Sequence, residues 1–159
     1  MKTVWEQFDR TYKSEPAYFG DRPSTALLDA VPEDGTGQSA LDLGSGPGRN
    51  AIALARLGYD VTAVDRSAAA LRNLENRAAG EGLSVRTLQQ DIRRVSFEPD
   101  SFDLIAAVTI LGHVAESRLP DVAHRIVSWL RPGGLFFTEE FSTGDPGCAG
   151  DESASECAH

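Results

Sequence analysis

Three alternating glycines lie between two carboxylates that could hold the two ends of one ligand. Asp42 stands two residues before Gly44, where a carboxylate would repel a pyrophosphate but attract an ammonium group. Asp65 lies 21 residues beyond Gly44, where a carboxylate can accept hydrogen bonds from two ribose hydroxyls. Gly44, Gly46 and Gly48 would let the backbone approach a ligand at the start of a helix. An ammonium group at one end and a ribose at the other describe S-adenosylmethionine (SAM) better than NAD.

The spacing of the glycines separates these two cofactor classes. A turn that binds a dinucleotide reads G-x-G-x-x-G and offers its N–H groups to a pyrophosphate. The turn in this chain reads G-x-G-x-G, and Pro47 removes one of its N–H groups. The residues therefore favour SAM, and an NAD-dependent oxidoreductase remains as an alternative.

Alternating strands and helices must hold this turn in place. Segment 39–43 predicts a strand that runs through the glycine turn into a helix over 48–57, which ends before Gly58. The apolar run 102–108 predicts a central strand buried on both faces, and Ser67 is an N-cap candidate. Further strands are expected over 60–64, 84–89 and 135–141, and further helices over 3–14, 23–30, 68–79 and 119–130.

Five segments in order resemble the motifs of the class I SAM-dependent methyltransferases. LDLGSGPG resembles their glycine-rich motif, VTAVDRS the acidic motif of the second strand, and LQQDI that of the third strand. FDLIAAVTIL resembles the fourth strand, and LRPGGLFF the entry to the fifth. GRNAIALARLGYDVTAVD and the upstream FGDRPS resemble the tellurite-resistance branch and its small-molecule relatives. Five ordered motifs are much more specific than one glycine turn.

The resemblance implies an α/β fold, a Rossmann-like three-layer α/β/α sandwich with a mostly parallel sheet ordered 3-2-1-4-5. It covers a methyltransferase domain over residues 1–142, with cap helices over 1–32 and a Rossmann-like core over 38–142. The acidic segment 143–159 lacks periodicity and predicts a flexible tail. Strands 6 and 7 of the class are absent, so the chain is either a truncation or a minimal version. The fifth strand would then be an exposed edge, for which we expect dimerisation, a covering tail or reduced stability.

The resemblance also implies a set of cofactor contacts to SAM and to its product S-adenosylhomocysteine. Asp42 would support the ammonium end, Asp65 would bind the ribose, and Asp91 would accept from the adenine amino group while Ile92 packs on the ring. Arg22 aligns with an arginine placed near the methionyl carboxylate, or it is a surface arginine. The backbone near the methionyl group would come from Gly44, Ser45, Gly46 and Gly48, and the remaining contacts from Asn50, Arg66, Val108 and Thr109.

The methyl acceptor is expected to be a small molecule such as a chalcogen oxyanion or a thiol, neither of which needs a general base. His113 is the histidine near the expected reaction centre, either as a substrate contact or general base, or as a half-buried histidine at a helix start. Glu139 and Glu140 end the fifth strand, and we interpret them as solvated charges rather than as groups that orient a substrate. A SAM-binding module without turnover is the second hypothesis.

The composition and net charge of the chain limit the kinds of partner that it is expected to bind. The 159 residues are enough for one domain, and 24 acidic against 15 basic side chains give a net charge of −9 that repels nucleic acid. No apolar run suggests a membrane span or a signal peptide, so a cytoplasmic location is the expectation.

Two groups of residues near the ends of the chain do not indicate a catalytic or metal-binding role. Val4, Trp5, Phe8 and Tyr12 share helical spacing and predict a helix that caps the sheet or closes over the cofactor. Cys148, Cys157 and His159 are too irregularly spaced to indicate a metal site. The spacing of the two cysteines does not forbid a disulfide, and free thiols are the expectation for a cytosolic protein.

Overall fold

The computed structural model describes residues 4–16 and 18–142, which alternate between helices and strands. The segment 143–159, with Cys148, Cys157 and His159, lies outside the described residues. The strands are β1 (Ser39–Leu43), β2 (Asp60–Asp65), β3 (Val85–Gln89), β4 (Phe102–Val108) and β5 (Leu130–Glu139). The helices are α1 (Val4–Ser14), α2 (Thr25–Ala30), α3 (Arg49–Arg56), α4 (Ala68–Gly80) and α5 (Leu119–Trp129), with short 3-10 turns at Leu111–His113 and Glu116–Arg118.

The five strands form one parallel sheet in the order β3-β2-β1-β4-β5, which confirms the predicted topology. β1 lies at the centre between β2 and β4, and the chain reverses its direction of travel across the sheet there. Ligands of such sheets bind beyond the carboxyl ends of the strands, at the point where the strand order reverses. The glycine turn follows β1, so the topology places it at that point.

Alternate residues of the central strands supply the cores on the two faces of the sheet. Leu41 and Leu43 pack on one face together with Ile126 and Trp129 of α5. Ala40 packs on the other face, in a cluster that contains residues of α2, α3 and α4. Since side chains alternate across a strand, both faces must be covered, and an apolar strand such as β4 is stable only in this setting.

Serine caps start two of the helices. Ser67 Oγ accepts from the N–H of Ala70 and caps α4, as the sequence predicts. Ser24 Oγ accepts from the N–H of Leu27 and caps α2, which begins at Thr25 instead of Pro23. A serine at an N-cap satisfies one of the four N–H groups that a helix start leaves unpaired.

β5 begins five residues before its predicted start at 135. Leu130 already pairs with Phe102, and a register irregularity follows before Leu104 pairs with Leu135. Pro132 and Gly133 lie in this irregular part, which the sequence pattern reads as a turn. The strand tolerates the proline because β5 is at the edge of the sheet, where a missing N–H breaks no ladder bond.

Within the described ranges 4–16 and 18–142, no helix combines the length and the apolar character needed to span a membrane. The same residues contain no cluster of three or more histidine, cysteine or acidic side chains that could hold a metal ion.

Candidate cofactor and acceptor site

A cavity of about 260 Å³ opens at the carboxyl ends of the strands. Helix α1 covers it from one side, and the segments that follow β1, β2, β4 and β5 form the rest of its wall. From the predicted set, the β1 turn and α3 contribute Gly44, Ser45, Gly46 and Asn50. The ends of β2 and β4 and the turn beyond them contribute Asp65, Arg66, Val108, Thr109 and His113.

A smaller cavity adjoins the first on the β3 side. It is lined by Asp91 and Ile92, and it shares Gly44, Asp65 and His113 with the larger one. The two cavities therefore form one crevice that runs across the strand ends, from β3 at one side to β5 at the other. The expected ribose and adenine contacts lie together at the β2–β3 side.

Asp65 is the last residue of β2, and it lines both cavities. Its Oδ2 accepts from the N–H of Gly46 at 2.8 Å, and its Oδ1 accepts from the N–H of Ser67 at 2.8 Å. Burial raises the pKa of Asp65, and the hydrogen bonds from Ser67 and Gly46 act against that rise. Each carboxylate oxygen has further lone pairs, so the group can still accept from a diol.

Asp91 is held by arginine side chains. The guanidinium of Arg93 donates to both of its oxygens, at 2.9 Å and 2.6 Å, and Arg66 lies 3.5 Å away. Burial alone would raise the pKa of Asp91, but the hydrogen bonds from Arg93 outweigh it and lower the pKa. A donor on adenine would share this carboxylate with Arg93.

Asp42 lies behind the glycine turn and does not line the cavity. Its side chain is 1% exposed, and burial raises its pKa to about 7. The N–H of Ala51 donates to the carboxylate, while Oδ2 has no hydrogen-bond partner within residues 4–16 and 18–142. A buried acceptor without a partner is costly, and the cost is greater for a charged carboxylate than for a protonated carboxyl group.

Two glycines of the turn are required by packing inside the protein. A Cβ on Gly44 would lie 2.3 Å from the side chain of Ile110, and one on Gly48 would lie 2.4 Å from Leu74. Their φ angles of 69° and 88° are also in the region that favours glycine. Gly48 does not line the cavity, so its role in the described structure is to let α4 approach. The sequence pattern alone had indicated ligand approach for all three glycines.

Helix α1 is latched over the cavity by Asp9. Its Oδ1 accepts from Ser67 Oγ at 2.7 Å and from the N–H of Ala69 at 3.2 Å, at the start of α4. Hydrogen bonds from Lys13 and Ser67 lower the pKa of Asp9 to about 2. Phe8 and Tyr12 line the cavity from this helix, so α1 both caps the sheet and closes over the pocket.

The end of β5 holds the turn that follows β4. The Glu140 carboxylate accepts from the N–H groups of Ile110, Leu111 and Gly112, at 3.1, 2.8 and 3.3 Å. The carbonyl of Glu139 accepts from the N–H of Thr109, whose φ of 54° is unusual for a residue other than glycine. Our interpretation of these glutamates as merely solvated charges is wrong, because Glu139 also accepts from Ser24 Oγ. Glu140 lines the larger cavity, although the sequence had led us to prefer solvated charges at this strand end.

His113 lies on the turn that Glu140 holds, in the wall shared by both cavities. Its ring is half-buried and meets the ring of Phe8 edge-on, with 5.5 Å between the ring centres. Arg22, by contrast, is exposed and does not line either cavity. Phe19, the first residue of the FGDRPS segment, and Phe141, at the end of the strand expected over 135–141, complete the wall, and the sequence had not indicated either as a pocket residue.

Comparisons with known proteins identify the family to which the chain is similar. The profile of a family described as the methyltransferase domain matches residues 40–134. Hemagglutinin 1 of Eikenella corrodens is 38% identical over 59% of this chain and 31% of its own length. A ubiquinone biosynthesis O-methyltransferase of Methylobacterium is 34% identical over 67% of this chain and 42% of its own length.

The probable SAM-dependent methyltransferase TehB of Haemophilus influenzae is 29% identical over 68% of this chain and 38% of its own length. A crystal structure of TehB from the same organism superposes with a TM-score of 0.68 at 24% identity, over 83% of this chain and 44% of that one. The chain thus spans between about a third and about two fifths of the length of these three relatives.

Proposed function

The chain belongs to the methyltransferase domain family, and from this premise we propose that it transfers a methyl group from SAM to a small-molecule acceptor. The cofactor of this family is SAM. The observation that carries the proposal is the placement of Asp65 and the glycine turn side by side, in one crevice at the point where the strand order reverses.

The residues present fit this cofactor. The Asp65 carboxylate would accept from the ribose hydroxyls, while Asp91 and Ile92 in the adjoining cavity would meet the adenine. Asp42 lies buried beneath the turn, and an ammonium group on the ligand would favour its charged form, whereas a phosphate would not. Bound SAM supplies a methyl group on a positively charged sulfur.

The work left to the protein is to position the acceptor and to exclude water. A displacement at a methyl carbon needs the nucleophile in line and at about 3 Å, a geometry that binding alone can provide. Helix α1, latched by Asp9, would shield the crevice from solvent. His113 reaches the cavity wall and would contact the acceptor or take its proton.

For the acceptor we propose a chalcogen oxyanion, a thiol or a related small metabolite. The similarity to TehB, which belongs to the tellurite-resistance branch that the motifs resemble, supports this class. The net charge of −9 supports a small molecule over a nucleic acid.

A SAM-binding module without turnover is the second candidate. It is favoured by one observation: within residues 4–16 and 18–142, no strand pairs with the outer edge of β5. Leu135 is exposed on that strand. We also propose that two copies pair through this edge, since an open edge is a template for another strand.

Calorimetry and a transfer assay test the proposal together. We expect S-adenosylhomocysteine to bind and NADH not to bind, and we expect labelled methyl groups to pass from SAM to a small acceptor. Binding without transfer to any acceptor would favour the second candidate. Binding of NADH with no response to S-adenosylhomocysteine would contradict both.

A further inference from the structure

Aromatic rings cover the crevice from the start of α4, where Tyr12 packs on Ala69 and Ala70, to the turn after β4, where Phe8 meets His113. Phe8, Tyr12 and Phe19 form a connected cluster, with 5.9 Å between the ring centres of Phe8 and Phe19 and 6.2 Å between those of Tyr12 and Phe19. The ring of His113 joins the cluster through Phe8. Phe141 lines the same cavity from the end of β5.

Two of these rings are much more exposed than apolar side chains usually are. Phe19 is 50% exposed and Phe141 is 71% exposed, although both line the cavity. Exposed apolar side chains around a concave site typically mark a surface that a ligand covers. Phe19 and Phe141 are therefore exposed apolar rings at the rim of this cavity, in a position where a bound ligand would cover them.

The order of the strands indicates whether the cofactor or the methyl acceptor would contact these rings. If the proposed function holds, the adenosine lies at the β2–β3 side with Asp65 and Asp91, and the glycine turn follows at β1. The next strand ends across the sheet are those of β4 and β5, where Thr109, His113 and Glu140 lie. The acceptor must then occupy the β4–β5 end.

The charged groups at that end are largely engaged by the protein itself. Glu140 accepts from three backbone N–H groups, and Glu139 accepts from Ser24. The Arg49 guanidinium donates to the carbonyl of Phe19 at 3.4 Å. An oxyanion that entered here would lose its hydration and face the Glu140 carboxylate, and the remaining N–H groups of Arg49 would be its charged donors.

We propose that the acceptor is an uncharged thiol with an apolar or aromatic body, and that Phe8, Phe19 and Phe141 form its binding wall. Sulfur is polarisable and makes favourable contacts with aromatic rings, and an apolar body gains free energy by covering exposed rings. This assignment rests on the proposed function and narrows its acceptor class.

The reaction then balances without another reagent. The thiol releases its proton to solvent, and its sulfur forms a bond to the methyl carbon. The bond from that carbon to the cofactor sulfur breaks at the same time, and its electron pair remains on S-adenosylhomocysteine. The product is a neutral methyl thioether, which carries no charge to be stabilised by the ring wall.

Three small acceptors that differ in charge and in apolar area test this assignment in the full chain: phenylmethanethiol, cysteamine and selenite. With labelled SAM, we expect kcat/KM for phenylmethanethiol to exceed the other two by about tenfold or more, the ratio that burial of one apolar ring supports. Phe19→Ala and Phe141→Ala should each raise its KM by about tenfold. Val127→Ala, which removes an exposed apolar side chain on α5, should change neither value.

A binding measurement keeps the test decisive if turnover is absent. Benzyl methyl sulfide, the thioether product, should bind the chain saturated with S-adenosylhomocysteine, as seen by NMR, and Phe19→Ala should weaken that binding. Selenite preferred over phenylmethanethiol, or equal binding by the variant, would overturn the acceptor assignment alone. Failure of S-adenosylhomocysteine to bind would overturn the proposed function, and the assignment with it.

Discussion

The backbone N–H of Gly46 donates to Oδ2 of Asp65 at 2.8 Å, so the turn after β1 is tied to the end of β2. The same carboxylate accepts from Ser67 at the start of α4, where Asp9 of α1 is also bound. One side chain therefore connects the glycine turn, the second strand and, through Ser67, the helix that covers the cavity. Changes at Asp65 should affect the whole cofactor half of the crevice.

Asp65→Asn should weaken binding of S-adenosylhomocysteine by about ten- to a hundredfold, because hydrogen bonds to a charged group contribute roughly 1.5–3 kcal/mol. Asparagine retains one acceptor oxygen but loses the charge and the second acceptor. Calorimetry measures the loss. Asp60→Asn, at the exposed start of the same strand, is the matched control and should bind like the wild type. Equal affinity of Asp65→Asn and Asp60→Asn would contradict a ribose contact at Asp65.

Gly44→Ala should destabilise the fold more than Gly82→Ala, although the two glycines have almost the same φ, 69° and 68°. A Cβ at Gly82 meets no atom within 4 Å, so it adds only the strain of the left-handed region, about 1–2 kcal/mol. A Cβ at Gly44 would also overlap Ile110, and overpacking adds about 1–3 kcal/mol. Urea unfolding gives both values.

The double variant Gly44→Ala with Ile110→Ala separates strain from overlap. We expect Gly44→Ala to lower the free energy of unfolding less in the Ile110→Ala protein than in the wild type, because the side chain that would overlap the new Cβ is gone. If the losses of stability from the two substitutions simply add, contact with Ile110 is not the reason that position 44 requires a glycine.

Asp42→Asn should become increasingly stabilising relative to the wild type as the pH rises from about 4 to about 7. Burial raises the folded pKa of Asp42 to about 7, so the folded protein keeps a proton that the unfolded chain has already released. The unfolded state therefore binds fewer protons in this window, and the stability of the wild type falls as the pH increases. Above about pH 7 the difference should be constant, at no more than about 4 kcal/mol.

Urea unfolding of both proteins between pH 4 and pH 8 measures this difference directly. Asp65 also has a raised pKa, and its charge is one cause of the raised pKa of Asp42, so the difference between the two proteins includes the coupling between these carboxylates. A difference that does not change with pH would show that Asp42 is already ionised in the folded protein across the range.

Asp9→Ala should release helix α1, whereas Lys13→Ala should not. Both substitutions remove the ion pair between Lys13 and Asp9, whose lysine is 60% exposed and contributes little. Only Asp9→Ala also removes the hydrogen bonds to Ser67 and Ala69, and loss of a helix cap costs about 1 kcal/mol. Hydrogen exchange of the α1 amides should accelerate in Asp9→Ala and remain near wild type in Lys13→Ala.

The pH dependence of this latch has the opposite sign to that of Asp42. The folded pKa of Asp9 is lowered to about 2, so its stabilising contribution is present above the unfolded pKa and is lost as the pH falls toward 2. The protection of the α1 amides, measured against the exchange rate of an unstructured amide at the same pH, should therefore fall on acidification in the wild type. The Asp9→Ala variant should lack that loss of protection, and its presence there would assign the latch to another group.

Much of the architecture follows from local signals. The apolar run of β4, the break at Gly58 and the cap at Ser67 are each visible within a few residues, because backbone sterics and burial act on neighbouring positions. The order of the motifs then implied the strand order 3-2-1-4-5, which the sheet confirms. The start of β5 was missed, because an edge strand tolerates Pro132 and Gly133 where a turn is the usual reading.

The sequence by itself determined the strands, the glycine turn and the family, since these depend on the type and the spacing of residues that are close along the chain. Only the tertiary structure decided that Asp42 is buried, that Gly44 makes room for Ile110, and that Glu140 holds the turn of His113. Each of these facts joins residues from different strands, and the sheet brings them together by packing over distances at which sequence spacing carries no information.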